Sequence, residues 1–215
     1  MDNNLFLYGI IALNVIFSWK GFQDTLFFRK YEFHVGSIRS GEQVRMLSSG
    51  FLHVDIAHLA FNMIALYSFG GVLISHFGPL SFLLIYFASL LFGNLLTLYF
   101  NKENFNYRAV GASGAVTGVL YATILLYPDM GIYIFFIPIA VPAYIFGFLY
   151  LMYSIYGMKS QNDNIGHKAH IGGAIAGYVL TISKEPTLIT QSTFIVLLLA
   201  VPIIILFAMA KLGKL

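Results

Sequence analysis

Residues 79–100, PLSFLLIYFASLLFGNLLTLYF, contain no Asp, Glu, Lys or Arg. An α-helix needs about 20 predominantly apolar residues to cross about 30 Å of hydrocarbon, and the chain repeats this pattern. Spans are expected at about 4–19, 54–74, 79–100, 111–127, 132–157, 169–183 and 190–210. Composition points the same way: 59% of residues are hydrophobic and 10% charged, against roughly 25% charged in a soluble domain. The expected fold is therefore all-α, a polytopic membrane helical bundle. No Pro/Ser-rich linker, charge block or low-complexity tract divides it, so residues 1–215 are expected to form one membrane-embedded domain. The first span begins MDNNLF, with no basic n-region and no small-residue cleavage site after it, and is expected to be retained. Cysteine is absent, which removes disulfides, thiolate metal sites and a cysteine nucleophile.

Between the first two spans, residues 20–53 mix aromatics with Lys20, Arg29, Lys30, Arg39 and Arg45. Such a segment fits a long structured loop lying partly in the membrane interface, where aromatics and snorkelling cations are at home. The spans themselves carry few polar groups, and those few stand in a pattern. In GASGAVTGVL, residues 111–120, Ser113 lies among Gly111, Gly114, Ala115 and Gly118, with Thr117 at the border of the small-residue stripe. In HKAHIGGAIAGYVLTIS, His170, Gly173, Ala174 and Gly177 share one helical face. Small residues let membrane helices approach closely, so these two spans are expected to be neighbours, with Ser113 and His170 meeting near their beginnings. A serine needs an adjacent base to become a nucleophile. Neither span holds an Asp or Glu to orient the imidazole, so a dyad is what this pattern allows. His58 and Asn62, four apart on the second span, are candidate donors to an oxyanion, joined by backbone N–H groups at the start of the fourth span.

HLAFN, GASGAVTG and AHIGGAIAG, in that order, resemble the three signatures of the rhomboid family of intramembrane serine proteases, and EQVRMLSSGFLH is similar to that family's first-loop motif. The resemblance implies a six-helix core, about residues 4–183, with one added C-terminal helix at about 190–210. It also makes Ser113 the nucleophile, His170 the general base, and His58 and Asn62 the oxyanion donors. Arg45 with Glu42 becomes part of the loop that steadies the fold, and Gly111, Gly114, Thr117, Gly173 and Gly177 support the site. Two positions depart from the family pattern. Thr117 stands where an aromatic often stacks on the catalytic histidine, so another group must replace that buttress. Val44 stands where a tryptophan often precedes the loop arginine.

Each polar residue alone has a plainer reading, as packing filler or an interhelical clamp; their joint order and spacing outweigh it. His53, His76 and His167 are expected to be structural or interfacial. No HExxH motif is present, and Asp55 and Asp129 sit at span ends, so zinc and aspartyl proteolysis find no footing. No intramembrane carboxylate or arginine defines an ion path, which weakens a transporter or channel reading. No metal or cofactor is expected. The implied substrates are single-pass transmembrane proteins; the alternative is a catalytically silent rhomboid-like protein that binds membrane clients. The fifth span, with Pro138 and Pro142, and the loop GMKSQNDNIGHK after it are candidates for a lateral gate and cap. The net charge of +3 offers no strip that would track nucleic acid, leaving the lipid bilayer as the charged partner.

Of the twelve Lys and Arg, all but Lys184 fall in the first, third and fifth loops and the C-tail. The positive-inside rule alone would turn that face to the cytoplasm. The resemblance instead turns the site outward, and five of those cations belong to the first loop, which in this family is folded structure. A bacterial inner membrane is the default location expected for the chain.

Overall fold

The computed structural model describes residues 4–133, 139–160 and 165–214. In chain order the helices are α1 (Leu5–Gln23), α2 (Thr25–Tyr31), α3 (Val35–Arg39), α4 (Arg45–Ser48), α5 (Ile56–Phe77), α6 (Pro79–Phe100), α7 (Ser113–Leu126), α8 (Ala143–Ser160), α9 (His167–Lys184), α10 (Leu188–Gln191) and α11 (Thr193–Lys211). Two small antiparallel pairs accompany them. Strand β1 (Phe33–His34) pairs with β2 (Arg108–Ala109), and β3 (Gly131–Tyr133) with β4 (Ala140–Pro142). The protein is an all-α polytopic membrane bundle.

Among the described residues, four helices, α1, α5, α6 and α11, are long and apolar enough to cross a membrane by themselves. Their outward side chains, such as Phe194, Leu197, Ile204 and Phe207 of α11, are exposed, as expected where the solvent is lipid. Helix α7 is different in kind. Its 14 residues extend about 21 Å, less than the hydrocarbon thickness. Every residue from Gly114 to Leu125 is buried, so α7 is a central pillar enclosed by the other helices.

Helices α5, α6 and α9 surround the pillar, and glycine sets the spacing. A Cβ at Gly173 would collide with the Gly114 carbonyl, and one at Gly177 with the Gly118 carbonyl. On the α6 side of the pillar a Cβ at Gly118 would strike Ser89, and between α6 and α9 one at Gly93 would come within 2.7 Å of the Ala169 carbonyl. Where lipid tails remove the hydrophobic drive between helices, such close packing is what holds them.

The fifth span differs from the expectation of a helix at about 132–157. Its first part is the β3–β4 hairpin, and the helix begins only at Ala143. Pro142 pairs with Gly131 at the hairpin's end, so it stops a strand instead of bending a helix, which fits a residue that cannot donate to a ladder. Pro138 and residues 161–164 of the expected cap lie outside the described residues. Helix α8 rests on α9, α11 and α7; the added helix α11 therefore backs it, with Leu199 close beside Gly147.

Candidate functional site

The first loop builds the frame around the site. Arg45, only 6% exposed, donates from Nε to Glu42 Oε2 at 2.7 Å and from Nη1 to the carbonyls of Arg29 and Glu32 at 2.8 and 2.9 Å. The Glu32 carboxylate, also buried, pairs with Arg29 and with Arg108 of β2. Arg39 donates to the Lys102 carbonyl and lies over Phe105. The chain then passes through a 3₁₀ turn, Ser49–Phe51, to His53. His53 is fully buried and bonded on both ring nitrogens, Nδ1 to Ser18 Oγ at 2.9 Å and Nε2 to the Ala112 N–H at 3.4 Å. Ser18 in turn donates to the Phe51 carbonyl, so Nδ1 carries the proton and Nε2 accepts. Burial pushes His53 down to about 3, with neighbouring His58 adding in the same direction. It is thereby a neutral post that ties α1 to the residue before Ser113.

Gly111 enters α7 with φ +131°, a conformation that favours glycine. Its N–H donates to the Ser49 carbonyl at 3.0 Å. The space a Gly111 side chain would fill is bounded by His58, with Cε1 and Nε2 at 2.8 and 3.0 Å, and by Ser113 Oγ at 3.8 Å. Glycine therefore leaves a gap about one atom wide between His58 and Ser113. The amides of Ser113, Gly114 and Ala115, in the first turn, are donors that an α-helix leaves without intrahelical partners. Asp55 caps α5 by accepting the His58 N–H at 2.7 Å, and Asn62 Nδ2 donates to the His58 carbonyl at 2.9 Å.

Ser113 is half-buried at the head of α7, and its Oγ lies 2.8 Å from His170 Nε2. Glycine brings the two together, since the Gly114–Gly173 contact lies next to both. The opposite ring nitrogen, Nδ1, is 3.0 Å from the Tyr150 hydroxyl of α8. Tyr150 also stacks on the imidazole, with centroids 5.6 Å apart and planes 25° apart. Thr117 donates to the Ser113 carbonyl at 2.7 Å and lies 3.2 Å from the same Tyr150 hydroxyl. Thus an aromatic does stack on His170, but it arrives from α8.

Sequence reasoning missed Tyr150 and passed over the role of His53. The signal for Tyr150 is faint: Gly147, Tyr150 and Ser154 fall at i+3 and i+4 spacing on one face of an aromatic-rich helix. His76 and His167 stand apart from the Ser113 hydroxyl. His76 lies at the far end of α5 against Tyr127 and Glu185, and His167 is buried edge-on to His170 at 6.1 Å.

A polytopic helical membrane protein with a half-buried serine hydrogen-bonded to a histidine is the class that fold and site define. Residues 40–185 match the rhomboid domain. The chain is 31% identical over 184 residues to RHOMBOID-like protein 12, mitochondrial, of Arabidopsis thaliana, which covers 77% of this chain and 54% of that protein. It is 29% identical over 185 residues to Rhomboid protein 1, mitochondrial, of Saccharomyces cerevisiae, covering 83% and 53%. With Rhomboid protease GluP of Bacillus subtilis it shares 35% over 141 residues, 66% of this chain and 26% of the other. The chain belongs to the rhomboid family, whose members include serine proteases. It spans about half the length, or less, of these relatives.

Proposed function

We propose that the protein is an intramembrane serine endopeptidase acting on single-pass transmembrane proteins. The observation that carries this is the 2.8 Å contact between Ser113 Oγ and His170 Nε2, set at a helix start beside a gap lined by hydrogen-bond donors. His170 takes the Ser113 proton as Oγ attacks the scissile carbonyl, and the resulting oxyanion occupies the space beside Gly111. His58 Nε2 borders that space. Its Nδ1 is buried without a partner among the described residues, which favours placing the ring proton on Nε2, towards the oxyanion. The Ser113 amide supplies a second donor, and Asn62 has one amide N–H beyond the bond it makes to the His58 carbonyl. His170 returns its proton to the leaving amine, and water admitted from the loop face then hydrolyses the acyl-enzyme.

Substrate reaches the site by a transient displacement of α8, whose neighbours are α9, α11 and α7, and α8 returns to them before the chemical step. The face carrying the site opens away from the cytoplasm. Arg45 supports this orientation because its charge is buried in the fold, and the exposed Lys20, Arg29, Lys30 and Arg39 each still contact a folded partner: Phe27, Glu32, Tyr31 and the Lys102 carbonyl. For location we propose a bacterial cell membrane, supported by the Bacillus subtilis relative. Detection of the native chain in fractionated source cells tests this, and recovery with mitochondria would reassign it to the compartment named for the plant and yeast relatives.

Labelling of purified protein with a fluorophosphonate tests the chemistry. Wild type is expected to be modified at Ser113 and Ser113→Ala to remain unmodified. Wild type that stays unlabelled where an active rhomboid protease labels would favour a client-binding protein without catalysis.

A further inference from the structure

The hydroxyl protons of Thr117 and Tyr150 can be placed in one way that satisfies every contact the two make with each other, Ser113 and His170. Thr117 has one proton and gives it to the Ser113 carbonyl at 2.7 Å. The 3.2 Å contact between Thr117 Oγ1 and the Tyr150 hydroxyl is then a hydrogen bond only if Tyr150 donates. With its proton committed to Thr117, the Tyr150 oxygen meets His170 Nδ1 at 3.0 Å as an acceptor. Nδ1 therefore carries the imidazole proton. Nε2 is left as a bare lone pair 2.8 Å from Ser113 Oγ. The reverse assignment, Tyr150 donating to Nδ1, leaves two oxygens facing each other with no proton between them.

We infer that Thr117 and Tyr150 are positioning residues that lock His170 in the Nδ1–H tautomer, a role that rests on the proposed function of Ser113 and His170 as a dyad. The bond made by one ring nitrogen of a histidine decides which nitrogen is free to act. A carboxylate is the common partner in serine hydrolases, and α7 and α9 contain none. Among the described residues the partner at Nδ1 is a neutral hydroxyl, Tyr150, itself bonded to that of Thr117, while the Tyr150 ring fixes the imidazole plane by stacking. The lock draws its members from α7, α8 and α9 and exists only while all three helices are docked.

The lock predicts an order of effects that packing would not give. Thr117→Val keeps the side-chain shape but frees the Tyr150 proton for Nδ1, which drives the imidazole proton onto Nε2, facing Ser113. Tyr150→Phe keeps the ring and leaves the tautomer without a preference. The kcat for cleavage should fall about 100-fold in Thr117→Val and about tenfold in Tyr150→Phe, with KM little changed. Thr117→Ser, which restores the hydroxyl, should bring kcat back towards wild type.

The direct test is nitrogen NMR of the full chain in micelles with ¹⁵N-labelled histidine, resonances being assigned by comparison with His170→Gln. Wild type should show His170 protonated on Nδ1 and Thr117→Val should show it on Nε2. A wild-type proton on Nε2, or a Thr117→Val spectrum unchanged from wild type, would overturn the lock. Should Thr117→Val fail to fold, Tyr150→Phe decides: a mixed tautomer supports the lock and a retained pure Nδ1–H contradicts it. The spectra do not depend on turnover. A silent protein with the Nδ1–H signature would sink the protease reading alone, and an active one with an unchanged Thr117→Val spectrum would sink the lock alone.

Discussion

The α7–α9 seam and the first-loop frame both hold the Ser113 region in place, by opposite means. The seam works by missing side chains: Gly173 and Gly177 let two backbones touch at Gly114 and Gly118. The frame works by added side chains: Arg45 and Glu32 reach across the loop to satisfy carbonyls and charges that the fold buries. A seam of backbone against backbone has no flexible end that can yield, whereas a frame of long side chains can lose one bond at a time. The two should therefore break differently.

The largest effect is expected at the seam. Gly177→Leu drives a side chain into the Gly118 carbonyl, where overpacking exceeds the usual cost of about 1–3 kcal/mol because a main chain must move; thermal unfolding in micelles should show no cooperative folded state. Arg45→Ala should come next, losing about 2–3 kcal/mol in the same assay because the Arg29 and Glu32 carbonyls lose a charged donor. Third is acid sensitivity through His53. Its folded value near 3 lies below the ordinary 6.5, so the unfolded chain binds the extra proton first. The stability this group contributes is complete above about 6.5 and is lost as pH falls towards 3. Between pH 6.5 and 5, stability should fall more steeply for wild type than for His53→Gln, and parallel slopes would show that His53 does not set the acid sensitivity. The smallest effect belongs to Glu42→Ala. Glu42 is 53% exposed, and such a pair is worth about 0–1 kcal/mol. A loss as large as that of Arg45→Ala would show that the ion pair, not the carbonyl bonds, carries the frame.

The same contrast explains what could be read from the chain. Small residues at i, i+3, i+4 and i+7 declare a close helix contact by their spacing, so the approach of α7 to α9 was legible, and with it the meeting of Ser113 and His170. Long side chains declare nothing about which carbonyl they will reach, so the Arg45 bonds and the His53 post were not. Pro142 was misplaced for a related reason: in an apolar run a strand of three residues and a helix look alike, and only the pairing with Gly131 separates them. Tyr150 was hidden among the tyrosines and phenylalanines of α8, where aromatic residues facing lipid and one facing His170 differ only in phase. The Thr117 departure signalled a missing buttress without saying which helix would supply it.

The proposed chemistry requires Ser113 and His170 to act together on a peptide bond within the membrane. The most direct measurement is cleavage of a single-pass test substrate in proteoliposomes by wild type, Ser113→Ala and His170→Ala at equal folded amounts. Cleavage is expected from wild type and none above background from either variant. Cleavage surviving in Ser113→Ala, or a silent wild type where a known rhomboid protease cuts the same substrate, would contradict that chemistry.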